Sequence, residues 1–291
     1  MKVFYFNFLK AKRGLALAVV LVGIGLVFTG LMLAETPQAP PANAPTGVTA
    51  PAEPEKIKPP AASTAPASQT SGNNSGVAGA TAAKGKLHAI YKVKTERKAV
   101  ALTFDISWGD KVPGPVMDTL KKYNLKSTFF LSGPWVGQYP EFPKRLVKEG
   151  HEIASHGHRH IDLDRESREK VREEIMTAHQ SIKEVTGVAP KLIRTPNGAY
   201  NDMVLEVADQ LGYRVIQWSA DSLDWKNPGV DAIVNRTLDK VHPGAIILMH
   251  ASDTCLQTPE ALPRVIEGLK ARGYEFMTVS KLLEIGPGVT S

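Results

Sequence analysis

The sequence predicts an α/β domain built on a parallel sheet, filling roughly the last 200 residues, about one domain's worth. Three observations point there. From about Lys86 onward, short β-branched runs alternate strictly with amphipathic stretches. Glycines stand where helix C-caps should fall, at Gly150, Gly187, Gly212 and Gly273. The polar residues able to do chemistry fall at the C-terminal ends of the strand runs.

Taken from the N-terminus, residues 1–13 carry Lys2, Lys10, Lys12 and Arg13 and no acid, and residues 14–34 are uncharged. At about 1.5 Å per residue that run makes a helix of roughly 31 Å, the thickness of bilayer hydrocarbon. The flanking cations place residues 1–13 in the cytoplasm and everything after Ala34 outside. A retained anchor is expected rather than a cleaved signal, because Met32 stands where cleavage after Ala34 would want a small residue. The expected location is therefore the cell membrane, single-pass, with the following domain extracytoplasmic. Residues 35–87 are rich in Pro, Ala, Ser, Thr, Gly and Asn with almost no large apolar side chain, so they predict a disordered linker giving reach.

Residues 88–291 form the domain. Its predicted strands are Ala99 to Phe104, Ser127 to Leu131, His151 to Ser155, Lys191 to Arg194, Arg214 to Ser219, Ala245 to His250 and Glu275 to Thr278. Its predicted helices are Val116 to Tyr123, Tyr139 to Glu149, Ser167 to Thr186, Met203 to Leu211, Asp231 to Val241 and Glu260 to Ala271. Periodicity alone leaves a closed barrel and an open doubly wound sheet both possible.

Composition narrows the function. The 291 residues are 43% hydrophobic and 22% charged, enough for an ordinary core, with a net charge of +6. No basic run is interleaved with aromatics, which argues against a nucleic-acid partner, while a basic balance suits an anionic cell-wall polymer. The one cysteine, Cys255, excludes an intramolecular disulfide. Nothing marks an oligomer interface, so a monomer is expected.

The strand ends carry Asp105, the cluster His156 to His160, Arg194, Asp221 and His250. His156 and His160 stand four apart and can converge on one ion. Taken singly, Asp105 reads equally as a helix cap, Arg194 as a surface cation and His250 as a core histidine. Their coincidence at one rim is the signal, because catalytic groups of parallel α/β folds gather there.

These segments, ALTFD at 101–105, SHGHRH at 155–160, RTPNG at 194–198, DSLDW at 221–225 and ILMH at 247–250, resemble the five ordered motifs of the polysaccharide deacetylases, the NodB homology group or carbohydrate esterase family 4. The resemblance covers roughly residues 95–285. The wording TFDISWG and the N-terminal anchor are most similar to the PdaB-type sporulation branch. The resemblance implies a distorted (β/α)7 barrel, a divalent metal (Zn, Co, Ni or Mn), and removal of acetyl groups from an N-acetylated cell-wall polysaccharide such as peptidoglycan.

It also implies roles. His156 and His160 would hold the metal, which activates a water. Asp105 would be the general base, paired with Arg194, and His250 the general acid, its pKa raised and its ring oriented by Asp221. The backbone N–H of Asn197 would face the oxyanion, Leu248 the acetyl methyl, and Trp225 or Trp108 the sugar. Trp218 is expected in the core, and His158 in loop packing.

The family pattern reads Thr-Phe-Asp-Asp, its second Asp a metal ligand, where this chain has Ile106. Asp105 itself, Asp110, a water or the substrate would then complete the coordination. Two further readings follow: a metal-poor, weakly active or inactive carbohydrate-binding homologue, and a deacetylase of a chitin-like oligosaccharide or exopolysaccharide.

Overall fold

The computed structural model describes residues 87–290. The anchor expected at 14–34 and nearly all of the linker expected at 35–87 lie outside them, and among the described residues no helix is long and apolar enough to cross a membrane.

Alternation of strand and helix produces the parallel sheet that the pattern predicts. After β1 (Lys92–Val93) come β2 (Ala99–Ile106), α1 (Pro113–Lys122), β3 (Thr128–Leu131), α2 (Gly133–Gln138), α3 (Glu141–Lys148) and β4 (Glu152–Ser155). Then follow α4 (Arg168–Thr186), β5 (Leu192–Ile193), α5 (Asp202–Gln210), β6 (Arg214–Val215), β7 (Ala220–Asp221), α6 (Val230–Lys240) and β8 (Ile246–His250). The chain finishes with α7 (Thr258–Ala271), β9 (Glu275–Met277), α8 (Val279–Glu284) and β10 (Gly288–Val289), the last pairing antiparallel with β1. The longest helix, α4, is capped as its sequence requires: Ser167 accepts from the Lys170 N–H, and Gly187 ends it at φ 73°. Several elements depart from the sequence reading. The strand expected at 214–219 stops at Val215 as β6, with β7 following at Ala220–Asp221; Ser132–Gly133–Pro134 starts an extra helix, α2; and α8, β1 and β10 have no counterpart in that reading.

The main sheet runs β6-β5-β4-β3-β2-β8-β7, with β9 pairing the first half of β2. Its curl follows from chain connectivity. The Ile216 N–H still bonds to β5 at Ile193, while the Ser219 N–H already bonds to β8 at Ile246. Three residues span at most about 11 Å. A flat sheet of that many strands would hold its edges roughly 29 Å apart. The sheet therefore rolls into a curled, barrel-like form whose edges nearly meet.

Rolling separates the strand residues by parity. On β2, Val100, Leu102, Phe104 and Ile106 face the outer core with the helices, beside Met117 and Leu120 of α1 and Val265 and Leu269 of α7. Ala99 and Ala101 face inward with Phe130, Ala154, Leu192, Ile216 and Ile246. Continuing up the inward column brings Thr103 and then Asp105.

Ile106 is wholly buried in that outer core. Its replacement by alanine should lower unfolding free energy by about 3 kcal/mol, the usual cost of deleting a buried isoleucine side chain, read from urea denaturation midpoints.

Candidate active site

Inward parity collects the site. In the parallel register Asp105 of β2 is the Cα partner of His250 of β8, and Thr103 is the partner of Leu248, so carboxylate, imidazole and apolar side chain share one face of adjacent strands. His156 follows β4 with the same parity as inward Ala154, and Arg194 follows β5 with the parity of Leu192. Asp105, His156, Leu248 and His250 line a cavity of about 400 Å³ together with His160, Asp221 and Trp218, and Arg194 lies buried behind them.

Arg194, fully buried, donates from Nη1 to Asp105 Oδ1 at 2.7 Å and to Thr103 Oγ1 at 2.9 Å. Its remaining donors reach the Gln217 carbonyl at 3.1 Å and the Ile216 carbonyl at 3.4 Å, and its guanidinium stacks 4.1 Å from the Phe130 ring centre. Burial alone pushes the Asp105 carboxyl up, but the Arg194 cation, with His156 and His250, outweighs it and holds the group below the ordinary carboxylate value. Asp105 is thus an ionised carboxylate with Oδ1 spent on Arg194. Its Oδ2 stands 3.8 Å from His156 Nε2.

His156 is oriented by a bond from Nδ1 to the Arg194 carbonyl at 2.9 Å, which leaves Nε2 with its lone pair toward the cavity. Burial lowers its pKa to about 4, and partial burial also lowers that of His160 at the cavity mouth. Both rings are neutral donors near neutral pH, their centres 5.3 Å apart. The loop between them is tied down by Glu174 of α4, buried, which accepts from the Arg159 N–H and from Arg159 Nε, each at 2.7 Å. His158 is half-buried against Gly133, its Nδ1 enclosed without a hydrogen-bond partner.

His250 is held by Asp224, which corrects the expected partner Asp221. Asp224 Oδ1 accepts from His250 Nδ1 at 2.7 Å, while Oδ2 accepts from the His250 N–H and from Thr258 Oγ1, each at 2.7 Å. Leu223, at φ 54°, and the 3-10 turn Asp224–Lys226 swing Asp224 inward. Asp221 spends its Oδ1 on the Leu223 N–H at 2.8 Å, shaping that turn. Both acids stand in DSLDW, so the residue type was legible and the backbone reversal that selects between them was not. Burial disfavours the His250 cation, yet the buried Asp224 carboxylate more than offsets this and raises the pKa above the ordinary value.

Asp110 is a second correction. It is exposed, does not line the cavity, and its N–H bonds to Asp253. Trp218, expected in the core, is half-buried and lines the cavity. Leu248 closes the base of the cavity, and Trp225 stands at its mouth. Asn197 adopts φ 58° in a turn closed by Gly198 N–H to Thr195 O and Ala199 N–H to Pro196 O, bonds that leave its own N–H for another acceptor at the cavity wall.

Two donor sets could attract an ion. Asp224, His250 and Cys255 bring donor atoms within 4.8 Å of one another. Their chemistry is wrong for it: both Asp224 oxygens are committed to hydrogen bonds, and burial pushes the Cys255 thiol up to about 12, so it stays protonated. The more open set of His156 Nε2, the His160 ring and Asp105 Oδ2 has the chemistry for a divalent ion, two neutral imidazoles with one unspent carboxylate oxygen, but its three donors are not gathered within 4.8 Å of one another, so the His160 ring would have to move in to share an ion with the other two. Ile106 adds nothing, because its side chain lies on the opposite face of β2.

Residues 92–216 match the family model for polysaccharide deacetylase. A Bacillus cereus peptidoglycan-N-acetylglucosamine deacetylase is 36% identical over 196 residues, 66% of this chain and 92% of that protein. The chain belongs to the polysaccharide deacetylase family. The deacetylase PgdA of Listeria monocytogenes is 37% identical over 205 residues, 69% of this chain but only 43% of PgdA. The crystal structure of BA3943 from Bacillus anthracis, described as a CE4 family pseudoenzyme, superposes with a TM-score of 0.65 at 32% identity, covering 68% of this chain and 69% of that one. A mutant of that protein is described as having restored enzymatic activity.

Replacing Asp224 by asparagine should drop the His250 pKa, read by NMR titration of the imidazole. The raised pKa contributes stability that is fully present below the unfolded value of about 6.5 and fades as pH rises through the folded value. The stability lost in Asp224→Asn should therefore be about 3 kcal/mol at pH 6, the cost of breaking a buried pair, and smaller at pH 9.

Proposed function

We propose that the protein hydrolyses N-acetyl groups of a cell-wall glycan, peptidoglycan, at this cavity. The observation that carries the reading is the pairing of Asp105 and His250 as register partners, the anion of one favoured by Arg194 and the cation of the other favoured by Asp224. Amide hydrolysis needs a base for water, a donor for the oxyanion and an acid for the departing amine. A divalent ion on His156, His160 and Asp105 would supply polarisation of the acetyl carbonyl and a water of lowered pKa. Asp105 accepts the proton of the attacking water. The Asn197 N–H stabilises the oxyanion, and Leu248 receives the acetyl methyl. His250 Nε2 donates to the leaving nitrogen, while Asp224 stabilises the charged ring until that transfer.

Asp105 Oδ2 has two demands on it, binding the ion and taking the proton, because Oδ1 is occupied by Arg194 and residue 106 offers no carboxylate. That competition supports the second reading, a weakly active or inactive carbohydrate-binding homologue, and the likeness to BA3943 supports it too. As finer parts of the proposal, residues 14–34 anchor the domain outside the membrane, and TFDISWG ties it to the PdaB-type sporulation branch.

Purified protein with added zinc or cobalt should release acetate from peptidoglycan, and mass spectrometry of the muropeptides should show loss of acetyl groups; no acetate with either ion overturns the enzyme reading. Release from chitin oligomers but not from peptidoglycan selects the chitin-like substrate. Asp105→Asn should abolish release and weaken zinc binding. Ile106→Asp should lower the denaturation midpoint by burying a carboxylate among the helices and leave zinc affinity at the wild-type value, because that side chain faces away from the cavity.

A further inference from the structure

Trp108 stands out as a large side chain left 42% exposed on a loop that is held unusually firmly. Exposure of an indole forgoes burial worth roughly 25 cal/mol per Å², so a rigid exposed indole beside a cavity calls for a ligand. The loop is clamped by the segment after β8. Ser252 Oγ accepts from the Ser107 N–H at 2.9 Å, and the Asp253 carboxylate accepts from the N–H groups of Asp110, Lys111 and Val112 at 3.2, 2.8 and 2.9 Å. The Asp253 N–H returns a bond to the Trp108 carbonyl at 3.1 Å. Buried Trp135 donates to the Gly109 carbonyl at 2.7 Å. Gly109 is required there: its φ is 85°, and a Cβ would sit 2.1 Å from Asp253 Cγ.

The indole itself meets the His160 ring edge-to-face at 5.1 Å and donates weakly from Nε1 to Thr254 Oγ1 at 3.4 Å. Trp225, 48% exposed, is fixed to the same segment, since Asn227 Nδ2 of its turn donates to the Thr254 carbonyl at 2.7 Å. One short segment therefore sets the positions of two exposed indoles at the mouth, while Leu248 marks the cavity base where an acetyl methyl would rest. A sugar whose acetyl group reaches Leu248 leaves its chain neighbour at the mouth. The C–H face of a pyranose is apolar and flat enough to cover an indole.

The geometry points to Trp108 as a specificity-determining platform for the sugar adjoining the one deacetylated, with Asp253 the positioning residue that holds it. The inference rests on the glycan-deacetylase reading of the cavity, and its binding test does not depend on turnover.

Titration calorimetry of the full-length protein with an N-acetylglucosamine tetramer, without added metal, tests the platform. Acetate release with zinc gives KM and kcat separately. Trp108→Ala should weaken tetramer binding about tenfold, a stacking contact's worth. The loss should fall on KM more than on kcat, and more on the tetramer than on the monomer. Trp108→Phe, which keeps an apolar ring, should recover most of it. Asp253→Ala and Gly109→Ala should each reproduce the KM rise, and Asp253→Asn, which retains one acceptor oxygen, should partly rescue it. Tetramer binding unchanged within about twofold in Trp108→Ala, or no tetramer binding by the wild type, overturns the platform. Binding lost in Trp108→Ala with no acetate released by the wild type keeps the platform and overturns turnover. Acetate released with affinity unchanged does the reverse.

Discussion

The buried pair between Arg194 and Asp105 is the contact on which the remaining site geometry depends. Removing two charges from water is costly, and their attraction offsets that only when the leftover donors are also satisfied. Here Thr103, Ile216 and Gln217 accept the other guanidinium bonds and Phe130 lies against its face. Those partners come from β2, from β3 and from the stretch after β6, so the cation couples the inner ends of separate strands. The carbonyl of the same residue orients His156. One residue thus keeps Asp105 ionised and turns His156 Nε2 toward the cavity. Substituting it would leave a buried carboxylate uncompensated and a histidine free to turn.

On the opposite side, the segment from Ala251 to Thr258 does comparable work through hydrogen bonds. Its Ser252 and Asp253 hold the loop that follows β2, its Thr254 carbonyl receives Asn227, and its Thr258 hydroxyl completes the shell of Asp224. His250, its Asp224 partner and both exposed indoles consequently share one support. Cys255 lies within it as a buried, protonated thiol whose role is packing.

Ile106 shows how period-two geometry restrains a metal site. An inward residue of β2 meets the cavity at 103 and 105, and residue 106 meets the helices. In this chain the outer position is filled by an aliphatic side chain that completes the core, so the carboxylate demand falls entirely on Asp105.

The sequence by itself determined the alternation of strands and helices, the glycine caps, and the residues Asp105, His156, Arg194 and His250, because each of these is written in local periodicity or in residue type at a strand end. Parity along β2, β4, β5 and β8 then follows from strand geometry, and it carried those side chains to one face as expected. Tertiary structure alone decided the choice of Asp224 over Asp221, which turns on a left-handed backbone at Leu223 that no pattern announces. It also decided the split of the strand at 214–219, forced by closure of the curled sheet, and the roles of Glu174 and Asp253, whose partners lie 15 and more than 140 residues away. Long-range contacts of that kind arise from packing of whole elements, so the charges they need are visible in the sequence and their partners are not.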